Sequence, residues 1–231
     1  MQKGALEVIP NVYQLAIRGA NVILIVEQKL TLIDTGFPGS SARIADFIRS
    51  LGRSIEEISL IIVTHYHVDH SGGLPELRRL TRARVAAHRD DIGDFKDSPS
   101  YPVIIRWLLR IPFLSALRSV FFIRDSDKDI RLEGGEILEV LGGLEIVHTP
   151  GHTAGSISLF SPANKLLIVG DALNKRHWLP LKGASADLAQ ALASVKKMSR
   201  LDFEILCFGH GRPLTGDVRL KMRQFLAGIK D

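Results

Sequence analysis

A chain of 231 residues with 45% hydrophobic and 24% charged content can bury a sizeable core in one domain and is too apolar to be disordered. Aromatic residues make up only 6%, which argues against the stacking platforms of single-stranded nucleic-acid binders, while a formal net charge of +5 still permits an anionic substrate or surface. Cys207 is the sole cysteine, so no intramolecular disulfide can form; with no sustained apolar run after Lys3 to read as a secretion signal, the expected location is the cytoplasm.

In chain order, Val12–Ile17, Asn21–Glu27 and Leu30–Asp34 are short apolar runs separated by turn residues and predict neighbouring antiparallel strands. Pro38 and Gly39 lead into Ser40 or Ser41, N-caps for a helix running to about Leu51. Ser59–Thr64 (SLIIVT) is a continuous apolar run of strand length, the pattern of a strand covered on both faces. A helix near Leu74–Leu80 and a strand at Arg84–Ala87 follow. The second half repeats this grammar. Leu144–His148, Ser156–Phe160, Lys165–Val169 and Glu204–Phe208 predict strands, and Ser185–Met198 and Asp217–Ile229 predict helices. Strands outnumber helices in each half, and each helix can cover the outer face of one of two stacked sheets. The expected class is therefore α+β, as a four-layer αβ/βα sandwich.

Between about residues 89 and 131 the grammar breaks, and an insertion is expected within a single domain over 1–231. Tyr101–Ile123 is strongly apolar, yet Pro102, Pro112, Arg106, Arg110 and Arg118 interrupt it, which argues against a membrane-spanning helix and favours two short helices broken at Pro112. Trp107, Leu108, Leu109, Phe113 and Leu114 could line a pocket for an acyl chain, pack on the core, form a homodimer contact, or lie on a membrane surface.

The chemistry lies just beyond the strands. Thr64–His70 reads T-H-Y-H-V-D-H, and in an extended backbone His65 and His67, two apart, point the same way. Asp69 and His70 follow where the chain must turn, with Gly72 and Gly73 supplying freedom. Three further clusters have the same placement: His152 in T-P-G-H-T, Asp171 in V-G-D-A-L and His210 in F-G-H-G. If these strands share a direction, seven nitrogen and oxygen ligands meet at one edge, enough for two adjacent metal ions. His88 and His148 read as packing or hydrogen-bonding residues, His177 matches no ligand position, and Cys207 reads as a core thiol. Tyr66 fits either a structural role or a substrate contact.

These motifs together resemble the metallo-β-lactamase superfamily, over Val12 to Arg212 apart from the insertion. The resemblance implies that His65, His67 and His152 hold a first metal, that Asp69, His70 and His210 hold a second, and that Asp171 bridges both. It also implies that Asp34, in L-I-D-T-G, orients ligands without binding metal; from the residues alone it is equally a turn-capping aspartate. Imidazole and carboxylate ligands without thiolate suit two zinc ions, with iron or manganese as alternatives. The implied reaction is attack of a metal-bridging hydroxide on a carbonyl carbon, with Asp69 and Asp171 as the catalytic carboxylates.

Within the superfamily the bridging Asp171 and complete H-x-H-x-D-H are more similar to glyoxalase II-type thioesterases, lactonases and phosphodiesterases than to true β-lactamases. The expected substrate is a small molecule carrying an ester, thioester or lactone. The alternatives are a persulfide dioxygenase with a single iron, a phosphodiesterase or nuclease of the same fold, and a non-catalytic binding module, against which the presence of all seven ligand residues argues. The nucleases carry a basic, flexible arm where this chain has an apolar insertion, so a nucleic-acid partner is not expected.

Overall fold

A computed structural model of the chain describes residues 4–92, 129–175, 178–179 and 187–228. The chain divides into two compact units, Met1–Arg131 and Leu132–Asp231.

The first unit is built on strands β1 (Ala5–Ile9), β2 (Val12–Ile17), β3 (Ala20–Val26), β4 (Leu30–Ile33), β5 (Ile58–Ile62), β6 (Arg84–His88) and β7 (Ile130–Leu132). They form one sheet in sequence order. Arg18 and Gly19, both at positive φ (53° and 94°), make the two-residue turn that sets β2 antiparallel to β3. Helix α1 (Ser41–Ser50) lies between β4 and β5, and helices α2 (Val68–Ser71) and α3 (Leu74–Leu80) between β5 and β6. These crossovers make β4, β5 and β6 mutually parallel, so their carboxyl ends lie on one side. Ile44, Phe47 and Ile48 recur at helical spacing on α1 and join a core with Leu24, Leu32, Ile61 and Val85. Each such side chain stabilises the fold by roughly 1.5–3 kcal/mol.

Ser40 occupies the N-cap of α1 but makes no capping bond, because its backbone is already helical (φ −74°, ψ −19°) rather than extended. The strand β1 was not foreseen; its alternation is weak, and only antiparallel pairing with β2 defines it.

The second unit carries strands β8 (Ile137–Leu138), β9 (Leu144–His148), β10 (Ile157–Ser161), β11 (Leu166–Ile168), β12 (Ile205–Cys207) and β13 (Leu214–Thr215). Their order is β13-β12-β11-β10-β9-β8. β10 is antiparallel to both β9 and β11, and β11 is parallel to β12. The chain therefore leaves β9, β11 and β12 at the same edge. Helix α4 (Leu188–Met198) buries Ala191, Ser194, Val195 and Met198. Asp187 caps it by accepting the Gln190 N–H at 3.0 Å. Helix α5 (Val218–Ala227) buries Val218 and Met222 in a core shared with Val195, Phe203, Leu206 and Phe208.

The expected insertion lies, from 93 to 128, outside the described residues, and so do its lid, dimer and membrane readings. No helix among the described residues is long and apolar enough to cross a membrane.

Candidate metal centre

In the first unit β5 ends at Ile62, and the chain continues into His65–Tyr66–His67 before α2 begins. His65 Nε2 lies 3.1 Å from His67 Nδ1, so the two imidazoles point to the same side, as the two-residue spacing requires. The turn that follows is the short helix α2, which carries Asp69 and His70. His70 Nε2 is 3.7 Å from Asp69 Oδ2, and the His65 and His70 ring centres are 4.2 Å apart. All four ligand candidates of this unit are thereby brought together.

Asp34 and Thr64 decide how the imidazoles present themselves. Asp34, 3% exposed, accepts the Thr64 backbone N–H and the Thr64 hydroxyl, each at 2.8 Å. Its Oδ2 is also 2.8 Å from His70 Nδ1. A buried carboxylate surrounded by donors is an acceptor only, so His70 donates its Nδ1–H and turns the Nε2 lone pair away from Asp34. The Thr64 hydroxyl, having given its proton to Asp34, can accept at 3.2 Å from His65 Nδ1–H, which leaves His65 Nε2 as a lone pair as well. Asp34 is thus an orienting residue. Its left-handed backbone (φ 60°) turns the chain at the end of β4, where its N–H reaches the Ile62 carbonyl at 2.8 Å.

Helix α2 is held from the same loop. The Thr35 N–H and hydroxyl donate to the His70 carbonyl at 2.6 and 2.8 Å. The following glycine is needed for space rather than for freedom: Gly73 has ordinary helical angles (φ −78°, ψ −12°), but a Cβ there would lie 2.4 Å from the Thr35 carbonyl oxygen. Tyr66 is buried, with its ring edge-on to His67 at 4.8 Å. Burial, with the Asp91 charge adding to it, pushes its phenol up to about 12.

In the second unit Asp171 and His210 follow the parallel strands β11 and β12. The Val169 N–H donates to the Cys207 carbonyl at 2.9 Å and the Gly209 N–H to the Gly170 carbonyl at 2.7 Å, so the two exits stay in register. Asp171 Oδ2 then lies 3.3 Å from His210 Nε2 and 3.8 Å from His152 Nε2. One carboxylate oxygen is thus close to two imidazoles at once.

The loop carrying His152 is gripped by α4. The Lys197 ammonium donates to the His148 carbonyl at 2.7 Å, the Ser194 hydroxyl to the Pro150 carbonyl at 2.7 Å, and the Asp187 N–H to the Gly151 carbonyl at 3.0 Å. Gly151 (φ 131°) must be glycine, since a Cβ would lie 2.4 Å from the Ala191 nitrogen. His148 donates from Nε2 to the Ala154 carbonyl at 2.8 Å, while His88 Nδ1 accepts the Asp90 N–H at 3.2 Å. Both are hydrogen-bonding residues, as read from the sequence. His177 lies outside the described residues.

The donor set suits a divalent ion. These imidazole and carboxylate groups are of the kinds that hold one, and His65 and His70 present lone pairs with their other ring nitrogen already committed. Cys207 is fully buried in β12, and burial pushes its thiol up to about 12.

Residues 16–210 match the family model of the Metallo-beta-lactamase superfamily. The probable metallo-hydrolase YflN of Bacillus subtilis (strain 168) is 27% identical over 233 residues, covering 91% of this chain and 87% of the relative. A hydroxyacylglutathione hydrolase of Pseudomonas aeruginosa (strain LESB58) is 36% identical over 118 residues, but these are 50% of this chain and 33% of that enzyme. Among solved structures, a metallo-beta-lactamase family protein from Thermus thermophilus aligns with a TM-score of 0.73 at 22% identity, over 96% of this chain and 80% of that one. This likeness bears out the α+β metallo-β-lactamase fold expected from the sequence. The chain belongs to the metallo-β-lactamase superfamily.

Proposed function

We propose that the protein is a dinuclear metallohydrolase, with zinc as its metal, that cleaves an ester, thioester or lactone bond of a small molecule. His65, His67 and His152 would hold one ion, Asp69, His70 and His210 the other, and Asp171 both. The observation that carries this reading is that Asp171 Oδ2 lies near two imidazoles at once, 3.3 Å from His210 Nε2 and 3.8 Å from His152 Nε2. An oxygen so placed suits a shared ligand. The superfamily supports it further, because its members are generally metal-dependent hydrolases, and hydroxyacylglutathione hydrolase is among the relatives.

When bound, two divalent ions would supply Lewis acidity and let water ionise near neutral pH. The chain's own groups do the rest. Asp34 and Thr64 keep His65 and His70 in the tautomer that binds through Nε2. Asp69, whose side chain is 23% exposed, accepts a hydrogen bond from the attacking water and aims it at the acyl carbon. Water oxygen bonds to that carbon as the bond to the leaving oxygen or sulfur breaks, and water's protons are shared between the acid product and the leaving group. No serine or cysteine nucleophile takes part.

The test is a panel of esters, thioesters, lactones and phosphodiesters, run beside oxygen uptake with a persulfide. Turnover of a carbonyl substrate, lost in Asp171→Ala while circular dichroism is unchanged, is expected. Phosphodiester cleavage alone would move the enzyme to the nuclease branch. Oxygen consumption would make it an oxidoreductase.

A further inference from the structure

Asp91 takes no part in any motif, yet it is a buried residue, 7% exposed, in the first unit. Burying a carboxylate costs several kcal/mol unless donors surround it. One donor is identifiable: the backbone N–H of Tyr66, 3.0 Å from Asp91 Oδ2. That amide lies between His65 and His67. The carbonyl of the same residue is also held, accepting from the Ser71 hydroxyl at 2.7 Å. The Tyr66 ring meanwhile packs in the core and lies edge-on to His67. The backbone between the two histidines is therefore fixed at its N–H, its C=O and its side chain.

The topology explains why Asp91 is available for this. β6 runs parallel to β5, so its exit lies beside the exit of β5 that bears the histidines. A 3-10 turn over Arg89–Asp91, begun by His88 accepting the Asp90 N–H, then aims Asp91 at Tyr66.

We propose that Asp91 is a positioning residue for the His65–His67 pair: by holding the Tyr66 amide it fixes the separation and direction of the two imidazoles and so raises the affinity for a divalent ion. The proposal rests on the metallohydrolase reading, since it concerns metal affinity. Supports of this kind typically change metal affinity by about 10–100-fold.

The experiment compares Asp91→Asn, which keeps an acceptor oxygen, with Asp91→Leu, which is similar in size and has none. Cobalt affinity is measured by chelator competition, the cobalt absorption bands are recorded, and thermal unfolding of the metal-free proteins is followed alongside. Asp91→Asn is expected to bind within about 3-fold of the parent. Asp91→Leu is expected to bind at least about 10-fold more weakly, with altered cobalt bands. Equal affinity and identical bands in Asp91→Leu would overturn the proposal. If that variant does not fold, Ser71→Ala, which releases the Tyr66 carbonyl, must weaken cobalt binding; unchanged binding there would overturn it equally. A parent protein that binds no cobalt would instead refute the metallohydrolase reading, so the two failures are distinguishable.

Discussion

Asp34 shows how much one buried carboxylate does. It accepts three hydrogen bonds at 2.8 Å, and through Thr64 it governs His65 as well as His70. Asp34→Ala would leave the Thr64 N–H and the His70 Nδ1–H without their acceptor and free both imidazoles to rotate or change tautomer. The expected result is a metal affinity about 10–100-fold lower, read by chelator competition. The ligand candidates could be picked out from sequence because imidazole and carboxylate groups just beyond apolar strands have a recognisable chemistry. Their supports could not. The bond from Asp34 to Thr64 exists only because β4 pairs in parallel with β5, and Asp91 reaches Tyr66 only because β6 pairs beside them. Two other buried groups predict a pH response. Cys207 and Tyr66 titrate from 9.0 and 10.0 in an unfolded chain up to about 12 in the fold. Raised values mean that the neutral forms favour the native state. Their contribution is whole below about pH 9 and is lost as pH rises toward 12. Urea midpoints should fall across this window, and less steeply in Cys207→Ala.

At the scale of elements, α4 acts as the clamp on the His152 loop. Ser194 and Lys197, three apart on one helical face, hold the Pro150 and His148 carbonyls, and Ala191 sits against Gly151. Ser194→Ala leaves the Pro150 carbonyl without that donor and is expected to lower stability by about 1–3 kcal/mol. Gly151→Ala drives a methyl group into the Ala191 backbone at a left-handed φ, so it should cost at least as much, about 1–3 kcal/mol or more. Urea denaturation measures both. Segments whose apolar runs are bounded by turn residues were legible: β2, β9 and α3 have the expected limits. The two-residue strands β8 and β13 were not, because two residues carry no alternation and only their ladder partners define them. Gly72 and Gly73 form the turn between α2 and α3 with ordinary right-handed backbone angles, and the close approach that requires Gly73 comes from Thr35, far away in sequence.

At the scale of the molecule, each of the two compact units brings its own ligand candidates together at the exits of its strands. Parallel pairing inside each sheet produces this, because it puts successive strand exits on one side. A metal that binds the native state and not the unfolded chain stabilises by about 2.7 kcal/mol at a free concentration 100 times its dissociation constant. Zinc should accordingly raise the melting temperature of the chelator-treated protein, and Asp171→Ala should blunt that rise. The most direct measurement for the central claim is the metal content of the purified, metal-reconstituted protein by elemental analysis. Close to two divalent transition-metal ions per chain are predicted. A single iron with no second metal, or no bound metal, would contradict the account.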